Sequence, residues 1–414
     1  MPQILVAHVA EGMILAEDLL SPQGRLLFPR GVTLEERHIR ACKTWGVCEV
    51  TVESITIAQV EKEPPQEIPP ELLLLAGGLC EEFFALNNTR HQAVREAMRI
   101  YHSRAAQSLL DSKQHGLAVN ARKNQPPYNP VSDLPPGLDD ITNLNLKMAS
   151  TPDVFNRILQ ALNDPYSSAT YMANILGKDI ALSTRILRVV NSAYYGCPKK
   201  VDTLTRAITI IGISKILNLA VGISVVSMFE DFEDDEMNMS NFWRHSLGCG
   251  IIARILAIRS GKQNEERYFV AGLIHDIGRL VMLQNFSGVA RKAILQSRRT
   301  VEALQHTERN IWGYTHADVA DRLFDKWEFP DFFKVCIAHH HSPGGVGYDD
   351  DACLLHAADF WCHALGIGIS GPSLAPPLDT TAWEQLKISK GTMSSLLGQI
   401  DSQVDDAMRA FLGN

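Results

Sequence analysis

A histidine and an aspartate stand side by side in the otherwise apolar run 271–280, and this pair constrains the fold more than any other feature of the sequence. Buried without partners, His275 and Asp276 would cost on the order of 1–7 kcal/mol in desolvation. Imidazole nitrogen and carboxylate oxygen are groups that Zn, Mn, Fe and Mg accept as ligands, and adjacent helical residues can both reach one ion between them. The run therefore indicates a buried metal site or a dense hydrogen-bond network.

Further potential ligands occur along the chain, each in or beside an apolar pattern with helical spacing. They are His245, His316, His340, His341 and Asp359. Together with the His-Asp pair, this set supplies ligands for one or two divalent ions, which we expect to be Fe, Mn, Zn or Mg.

The order His245, His275-Asp276, Asp359 resembles that of the HD superfamily of metal-dependent phosphohydrolases. The additional histidines are similar to those of its two-metal members, which include the HD-GYP cyclic di-GMP phosphodiesterases. The resemblance implies phosphoester hydrolysis, with Asp276 bridging two ions about 3.5–4 Å apart. Arg279 stands where related phosphohydrolases commonly carry lysine, and we expect it to contact a phosphate. Asp276 and Arg279 are therefore the predicted catalytic residues.

A second resemblance covers about residues 134–365. The segment 179–196, which ends in Asn191-Ser192-Ala193-Tyr194-Tyr195-Gly196, is similar to the signature of the HDOD domain, a bacterial signalling module related to HD. So is Trp327-Glu328-Phe329-Pro330 followed by His340-His341-Ser342-Pro343. The family spacing selects His340 and His341 as ligands, so His339 is expected to matter less, since neighbouring helical residues point about 100° apart.

The sequence leaves two functions open. Most HDOD proteins are regarded as regulatory, and this chain has Ser342-Pro343 where HD-GYP proteins continue with Glu, while Gly347-Tyr348-Asp349 lacks the Pro of Gly-Tyr-Pro. These departures favour a signalling module that binds a partner protein or a nucleotide second messenger and uses the metal for structure or sensing. The retained ligands favour the alternative, a metal-dependent phosphohydrolase acting on a nucleotide or cyclic di-GMP.

Composition narrows the remaining classes. The net charge of −8, without a dense Lys/Arg cluster, argues against direct nucleic-acid binding and against a membrane-binding patch. The eight cysteines show no Cys-x-x-Cys and no framework spacing, and the N-terminus lacks a signal-peptide pattern, so we expect reduced thiols and a cytoplasmic protein. The apolar stretch 208–229 carries Lys215 and Asn218 and is interpreted as a buried helix.

The chain of 414 residues is predicted to hold several units. Residues 1–60 form a small α+β module of short strands, with a helix that begins at a Thr33/Glu36 capping box. Residues 61–133 form a helical connector with Pro-rich linkers, residues 134–370 the HDOD/HD-like domain, and residues 371–414 a C-terminal helical tail.

The connector helices, within residues 72–110, either cover the main domain or pair with a second copy of the chain in a homodimer. Beyond residue 70 we find no convincing strand, so the predicted fold is mainly α, an HD/HDOD-type helical bundle with its ligands converging in the interior. Asn191-Ser192 is interpreted as a helix end rather than a ligand contact. The acidic run 230–236 is interpreted as a solvated loop.

Overall fold

The structure, a computed structural model, describes most of the chain. The described residues are 3–6, 9–20, 26–44, 47, 49–53, 68–114, 135–143, 153–162, 168–192, 195, 197, 200–229, 238–368 and 374–412. Within them, short strands occur before residue 52 and helices make up the regular structure after residue 70. The predicted fold class, an all-α body with a small strand-containing module at the N-terminus, is confirmed.

The N-terminal module is built from two short antiparallel strand pairs and one helix. Its elements are β1 (Gln3–Leu5), β2 (Leu19–Leu20), β3 (Leu26–Phe28), α1 (Glu36–Thr44) and β4 (Glu49–Thr51). β1 pairs with β4 and β2 with β3. The predicted capping box is wrong, because Thr33 forms a bridge with Ile14 and the helix begins only at Glu36.

The connector forms a helical hairpin of α2 (Pro70–Phe83) and α3 (Gln92–Gln114). Phe84, Val94 and Ile100 are buried in the main hydrophobic core, which continues as far as the last helix. This packing agrees with the interpretation that the hairpin covers the main body. A homodimer stays a prediction, as do the domain boundaries.

The first half of the main body is a series of mostly short helices. They are α4 (Leu138–Asn143), α5 (Asp153–Leu162), α6 (Ala169–Leu176), α7 (Ile180–Val190), α8 (Leu204–Ile211) and α9 (Ile213–Ser227). Ser168, Asp179 and Thr203 cap three of them, each accepting a hydrogen bond from the backbone N–H three residues on. The predicted cap at Asp179 is confirmed.

Residues of the 179–196 segment hold the chain together where α7 ends. The Asn191 side chain donates to Leu187 O at 2.8 Å and to Val201 O at 2.7 Å, and its Oδ1 accepts from Val201 N at 2.7 Å. Tyr195 donates its hydroxyl to Glu266 Oε1 at 2.5 Å. The interpretation of Asn191 as part of a helix end is confirmed.

The second half of the main body carries the predicted ligands. Its helices are α10 (Met239–Arg259), α11 (Glu266–Ile274), α12 (Ile277–Arg299), α13 (Leu304–Trp312), α14 (His316–Lys326), α15 (Asp331–Ala338), α16 (Asp350–Ala364), α17 (Thr380–Gln385) and α18 (Thr392–Leu412). A short 3-10 turn, Pro343–Val346, precedes α16. α10 lies at the centre, packed against α11, α16 and α18.

Two close backbone approaches depend on glycine. A Cβ on Gly272 of α11 would lie 2.5 Å from the Cα of Gly250 in α10. A Cβ on Gly278 of α12 would clash with the carbonyl oxygen of His316, at the start of α14. Any larger residue would push these helices apart, so the glycines bring the His-Asp pair against α10 on one side and α14 on the other.

The apolar stretch 208–229 spans two helices, α8 and α9, which meet at an angle of 119°. Most residues of α9 are buried, which confirms the predicted burial. The prediction of one helix is wrong, because Gly212, with φ of 100°, separates α8 from α9. Among the described residues, no single helix has the length and apolar character to cross a membrane. The acidic run 230–236, Gly46 and most of the two Pro-rich linkers lie outside the described residues.

Candidate metal centre

The His-Asp pair lies at the junction of two helices. His275 ends α11 and Asp276 precedes α12, with a backbone at φ −95° and ψ 10° that is not helical. The pair was expected within one helix, but the break lets both side chains turn inward, where both are fully buried. His275 Nδ1 lies 2.7 Å from Gly272 O, so it donates there and leaves Nε2 for a ligand role.

One set of donors, the first group, consists of His245, His275 and Asp359. His245 comes from α10 and Asp359 from α16, and both are buried. Asp359 Oδ1 lies 3.2 Å from His245 Nε2 and 3.5 Å from His275 Nε2. Ring nitrogens from two other elements therefore lie close to the same carboxylate oxygen.

The second group consists of His316, His340 and His341, whose donor nitrogens lie within 4.8 Å of one another. His316 Nε2 is 3.0 Å from His341 Nε2. Its other ring nitrogen, Nδ1, is 2.6 Å from Glu308 Oε2, and His340 Nδ1 is 2.6 Å from Ile337 O. Because Nδ1 of both rings is engaged in a hydrogen bond, Nε2 is the nitrogen that can bind an ion.

Asp276 lies between the two groups. Its Oδ1 is 3.3 Å from His316 Nε2 and 3.9 Å from His340 Nε2. Its Oδ2 is 3.3 Å from His275 Nε2 and 3.9 Å from His245 Nε2. With one oxygen toward each group, Asp276 has the geometry of a carboxylate that bridges two ions, as the resemblance implies.

Orphaned polar atoms test whether these residues fit a metal. His275 Nε2, Asp276 Oδ1 and His340 Nε2 are buried without a hydrogen-bond partner among the described residues. Leaving such atoms unsatisfied costs about 1–3 kcal/mol each. All three face the same interior, and nitrogen with carboxylate oxygen is a donor set suited to Fe, Mn or Zn, so the residues fit one or two divalent ions.

The two aspartates are held as anions. Burial alone would raise the pKa of Asp276, but the positive charges of Arg279 and His275, with the nearby ring nitrogens of His275 and His316, hold this pKa well below its usual range. Burial likewise opposes ionisation of Asp359, yet His363, the hydrogen bond from His245 and the nearby ring of His275 keep its pKa well below the usual range. Ionised carboxylates are the form that binds a cation.

The histidines divide into two protonation classes. Burial, followed by the charges of His275 and His316, lowers the pKa of His340 to about 3. Burial, followed by His340 and His316, lowers the pKa of His341 well below its usual value. Burial also opposes the charged forms of His275 and His316, but Asp276 raises the pKa of the former, and Glu308 with Asp276 raises that of the latter. An ion must displace protons from this second pair.

Arg279, the other predicted catalytic residue, lies at the edge of the centre. Its Nη1 is 2.5 Å from Asp276 Oδ2 and its Nη2 is 3.2 Å from His316 Nε2. The guanidinium thus faces both the bridging carboxylate and the second group, within reach of any anion that enters there. Its catalytic role stays a prediction.

A small cavity forms the mouth of the centre. It has a volume of about 10 Å³, room for roughly one water molecule. Its lining includes Arg279, Glu302, Ala303, Leu304, Gln305, His341, Asp359, His363, Leu374 and Pro376. Among the residues that the structure describes, those before and at the start of α13 and the 374–376 segment narrow this mouth.

The structure adds two residues that the sequence reasoning missed. His363 is buried, and its Nε2 lies 3.4 Å from Asp359 Oδ1. The i,i+4 spacing from Asp359 on one helix was a signal that could have found it. Glu308 orients His316, but nothing in the sequence distinguishes it from a surface glutamate of α13. His339 ends α15 and belongs to neither group.

A helical body in which histidines and aspartates converge is the arrangement that the resemblance to the HD superfamily implies. Residues 148–343 match the family model of the HDOD domain. The chain therefore contains an HDOD domain, as the sequence motifs predicted. The matched range ends before Asp359 and His363, so part of the centre lies beyond it.

Solved structures show the same fold. An HDOD domain protein of unknown function from Geobacter sulfurreducens is 23% identical, with a TM-score of 0.52, over 68% of this chain and 93% of that chain. A provisionally named phosphohydrolase from Shewanella amazonensis SB2B is 22% identical, with a TM-score of 0.51, over 66% of this chain and 95% of that one. At these identities the likeness establishes the fold.

A curated relative matches a smaller share of this chain. An uncharacterized protein of Treponema pallidum (strain Nichols) is 24% identical over 208 residues, which is 50% of this chain and 38% of that protein. The chain thus spans well under two thirds of that relative.

Proposed function

We propose that the protein is a bacterial regulatory protein of signal transduction, in which an HDOD domain holds divalent metal and binds a partner protein or a nucleotide. The observation that carries this proposal is a full set of buried metal donors behind a mouth with room for roughly one water, about 10 Å³. Such a centre has room for an ion, while the described residues around its mouth would have to move apart for a nucleotide to reach the ion.

The chain's own residues would hold two ions. His245, His275 and Asp359 would bind the first ion, the second group would bind the second, and Asp276 would bridge them. When bound, such ions neutralise phosphoryl oxygens and lower the pKa of a bound water. Without any reaction, they also stabilise the fold, because the donors come from helices distant in sequence.

A hydrogen-bond path supports a regulatory role by connecting the centre to the connector hairpin. His356 Nδ1 lies 2.7 Å from the carbonyl oxygen of His340, and its Nε2 accepts from Asp379 N at 2.8 Å. Next to it, Leu378 N donates to Asn87 Oδ1 at 2.9 Å, in the turn between α2 and α3. Movement of the hairpin would therefore reach a ligand of the second group.

The same hairpin turn also holds the mouth. Asn87 Nδ2 donates to Ala375 O and Pro376 O, both at 3.2 Å, and Ala375 N donates to Phe83 O at 2.9 Å. A partner that binds the hairpin would thus act on the 374–376 segment.

The buried Cys249, Cys336 and Cys362 carry no disulfide, which supports a cytoplasmic location.

A second candidate function is metal-dependent phosphohydrolysis of a nucleotide or cyclic di-GMP. The bridging geometry of Asp276 and the nearby Arg279 guanidinium favour it. Arg279 would have to leave Asp276 to contact a phosphoryl oxygen, and the mouth would have to open. Both requirements make hydrolysis the lesser candidate.

One set of measurements on the full chain separates the candidates. Protein purified anaerobically with added Mn or Fe and without chelator should carry one or two ions, and chelator should lower its melting temperature. It should turn over neither a chromogenic phosphodiester nor cyclic di-GMP with Mn, Fe, Mg or Zn. Fewer than about 0.2 ions per chain would contradict the metal centre. Turnover would instead support the phosphohydrolase.

A further inference from the structure

Three imidazole nitrogens surround one carboxylate oxygen in the centre. Asp359 Oδ1 lies 3.2 Å from His245 Nε2, 3.4 Å from His363 Nε2 and 3.5 Å from His275 Nε2. Ligands bound to one ion at about 2.0–2.1 Å are roughly 3–4 Å apart, whether the ion has four or five of them. These distances are thus the separations expected between ligands that share one ion.

His363 reaches this point because of its place on α16. It follows Asp359 by four residues, so the two side chains lie on the same face of the helix. It is 5% exposed, and its ring lies 4.4 Å from that of His245. The donor atoms of His245, Asp359 and His363 all lie within 4.8 Å of one another.

A purely structural role for His363 explains the geometry less well. A hydrogen bond from a ring nitrogen to a carboxylate oxygen is typically about 2.7–3.2 Å long, and the 3.4 Å separation exceeds it. Asp359 Oδ1 also has a nearer partner, His245 Nε2 at 3.2 Å. His363 also lines the mouth beside Arg279 and His341, on the side from which a small molecule would approach.

We propose that His363 is a ligand of the first ion and occupies the coordination position that faces the mouth. The inference rests on the proposed metal centre and deepens it. A catalytic ion keeps one position for water or substrate, whereas a structural ion is enclosed by protein ligands. With His363 in place, the first ion is enclosed. Its removal opens a position that a small anion or a free imidazole can take.

Cobalt(II) substitution of the full chain tests this. Wild type, His363→Ala and His363→Gln are loaded with Co(II), the affinity is measured by competition with a chelator, and the visible spectrum is followed during titration with azide or imidazole. We expect the affinity to fall roughly 10–100-fold in both variants. Azide should change the spectrum of the variants but not that of the wild type, and imidazole should restore a spectrum like that of the wild type in His363→Ala.

His356→Ala is the matched control. His356 is a buried histidine of the same helix, and both of its nitrogens already make hydrogen bonds. This variant should melt lower without gaining a response to azide. If His363→Ala does not fold, His363→Gln decides by the same spectra.

The outcomes distinguish the role of His363 from the existence of the metal centre. If wild type binds Co(II) and the His363 variants have the same affinity and spectrum, His363 is not a ligand, although the metal centre stands. The same conclusion follows if azide perturbs wild type as strongly as the variants. If wild type binds no Co(II), the metal centre itself is wrong, and the role of His363 falls with it.

Discussion

The two ligand groups of the centre differ in charge and in exposure. The first group contains the carboxylate of Asp359, and all of its members are buried. The second group is made of imidazoles alone, with Glu308 behind His316, and His341 is only partly buried. The cation of Arg279 lies 3.2 Å from His316 of the second group and 2.5 Å from Asp276 Oδ2, the oxygen that faces the first group.

This difference ranks the two ion positions. A carboxylate ligand contributes a negative charge in a buried, low-dielectric setting, where Coulomb attraction is strongest. Neutral imidazoles contribute no net charge, and the second group has no carboxylate of its own beside the shared Asp276. We therefore expect the first ion to bind tightly and the second to exchange readily. A protein with this asymmetry can keep one ion for stability and use the other for sensing.

The largest effect is expected from Asp276→Asn, because this side chain serves both groups. The amide keeps the shape but loses the charge, so both ions should be lost. If bound metal contributes about 3 kcal/mol at saturating concentration, the chelator-sensitive part of the melt, roughly 5–10 °C, should disappear. Metal analysis and melting with and without chelator provide the measurement. A variant that keeps two ions would show that Asp276 does not bridge.

Asp359→Asn should affect the first group alone. We expect loss of the tight ion, with weak binding at the second group retained, so that the metal content falls by one per chain. Isothermal titration with Mn or Zn, compared with wild type, measures both steps. If the tight step survives and the weak one disappears, the ranking of the two groups is reversed.

Glu308→Gln should weaken only the second group. Loss of the anion that orients His316 is expected to lower the affinity for the weaker ion about 10–100-fold, since residues that orient a ligand commonly have effects of this size. The same titration should show an unchanged tight step. His339→Ala, at a histidine that belongs to neither group, is the control and should leave both steps unchanged. An effect of Glu308→Gln on the tight step would contradict the separation of the groups.

A smaller effect is expected from pH. The raised pKa values of His275 and His316 mean that an ion must displace protons, so metal affinity should fall about tenfold per pH unit for each displaced proton as pH decreases. The stability of the metal-free protein should instead fall as pH rises. When a group has a raised pKa in the folded state, the stabilisation is complete below the pKa of the unfolded state. It is lost as pH rises through the pKa of the folded state.

The lowered pKa values of Asp276 and Asp359 act only in acid, because the stability they provide is lost as pH falls below the unfolded value and through the folded one. Between about pH 7 and 9, above the range in which the lowered pKa values of His340 and His341 matter, the melting temperature should therefore rise with pH for metal-loaded protein and fall for chelated protein. Parallel slopes for the two forms would show that these histidines do not exchange protons for metal.

The sequence by itself determined the helical body, the cap at Asp179 and the seven ligand candidates, because each depends on local spacing or on a motif. Apolar periodicity records which face of a helix is buried, and a polar residue on that face stands out. The same reasoning failed at Thr33, where pairing with Ile14 prevailed over a capping preference of about 1 kcal/mol.

Only the tertiary structure decided which donors lie close together. Glu308 lies on a different helix from His316. His363 stands out as a donor only because its ring lies near that of His245, more than a hundred residues away in the chain. The sorting of seven candidates into two groups with Asp276 between them depends on helix crossings, such as those at Gly272 and Gly278, that bring backbones within contact distance. Distances between helices arise from packing, and no spacing along the chain encodes them directly.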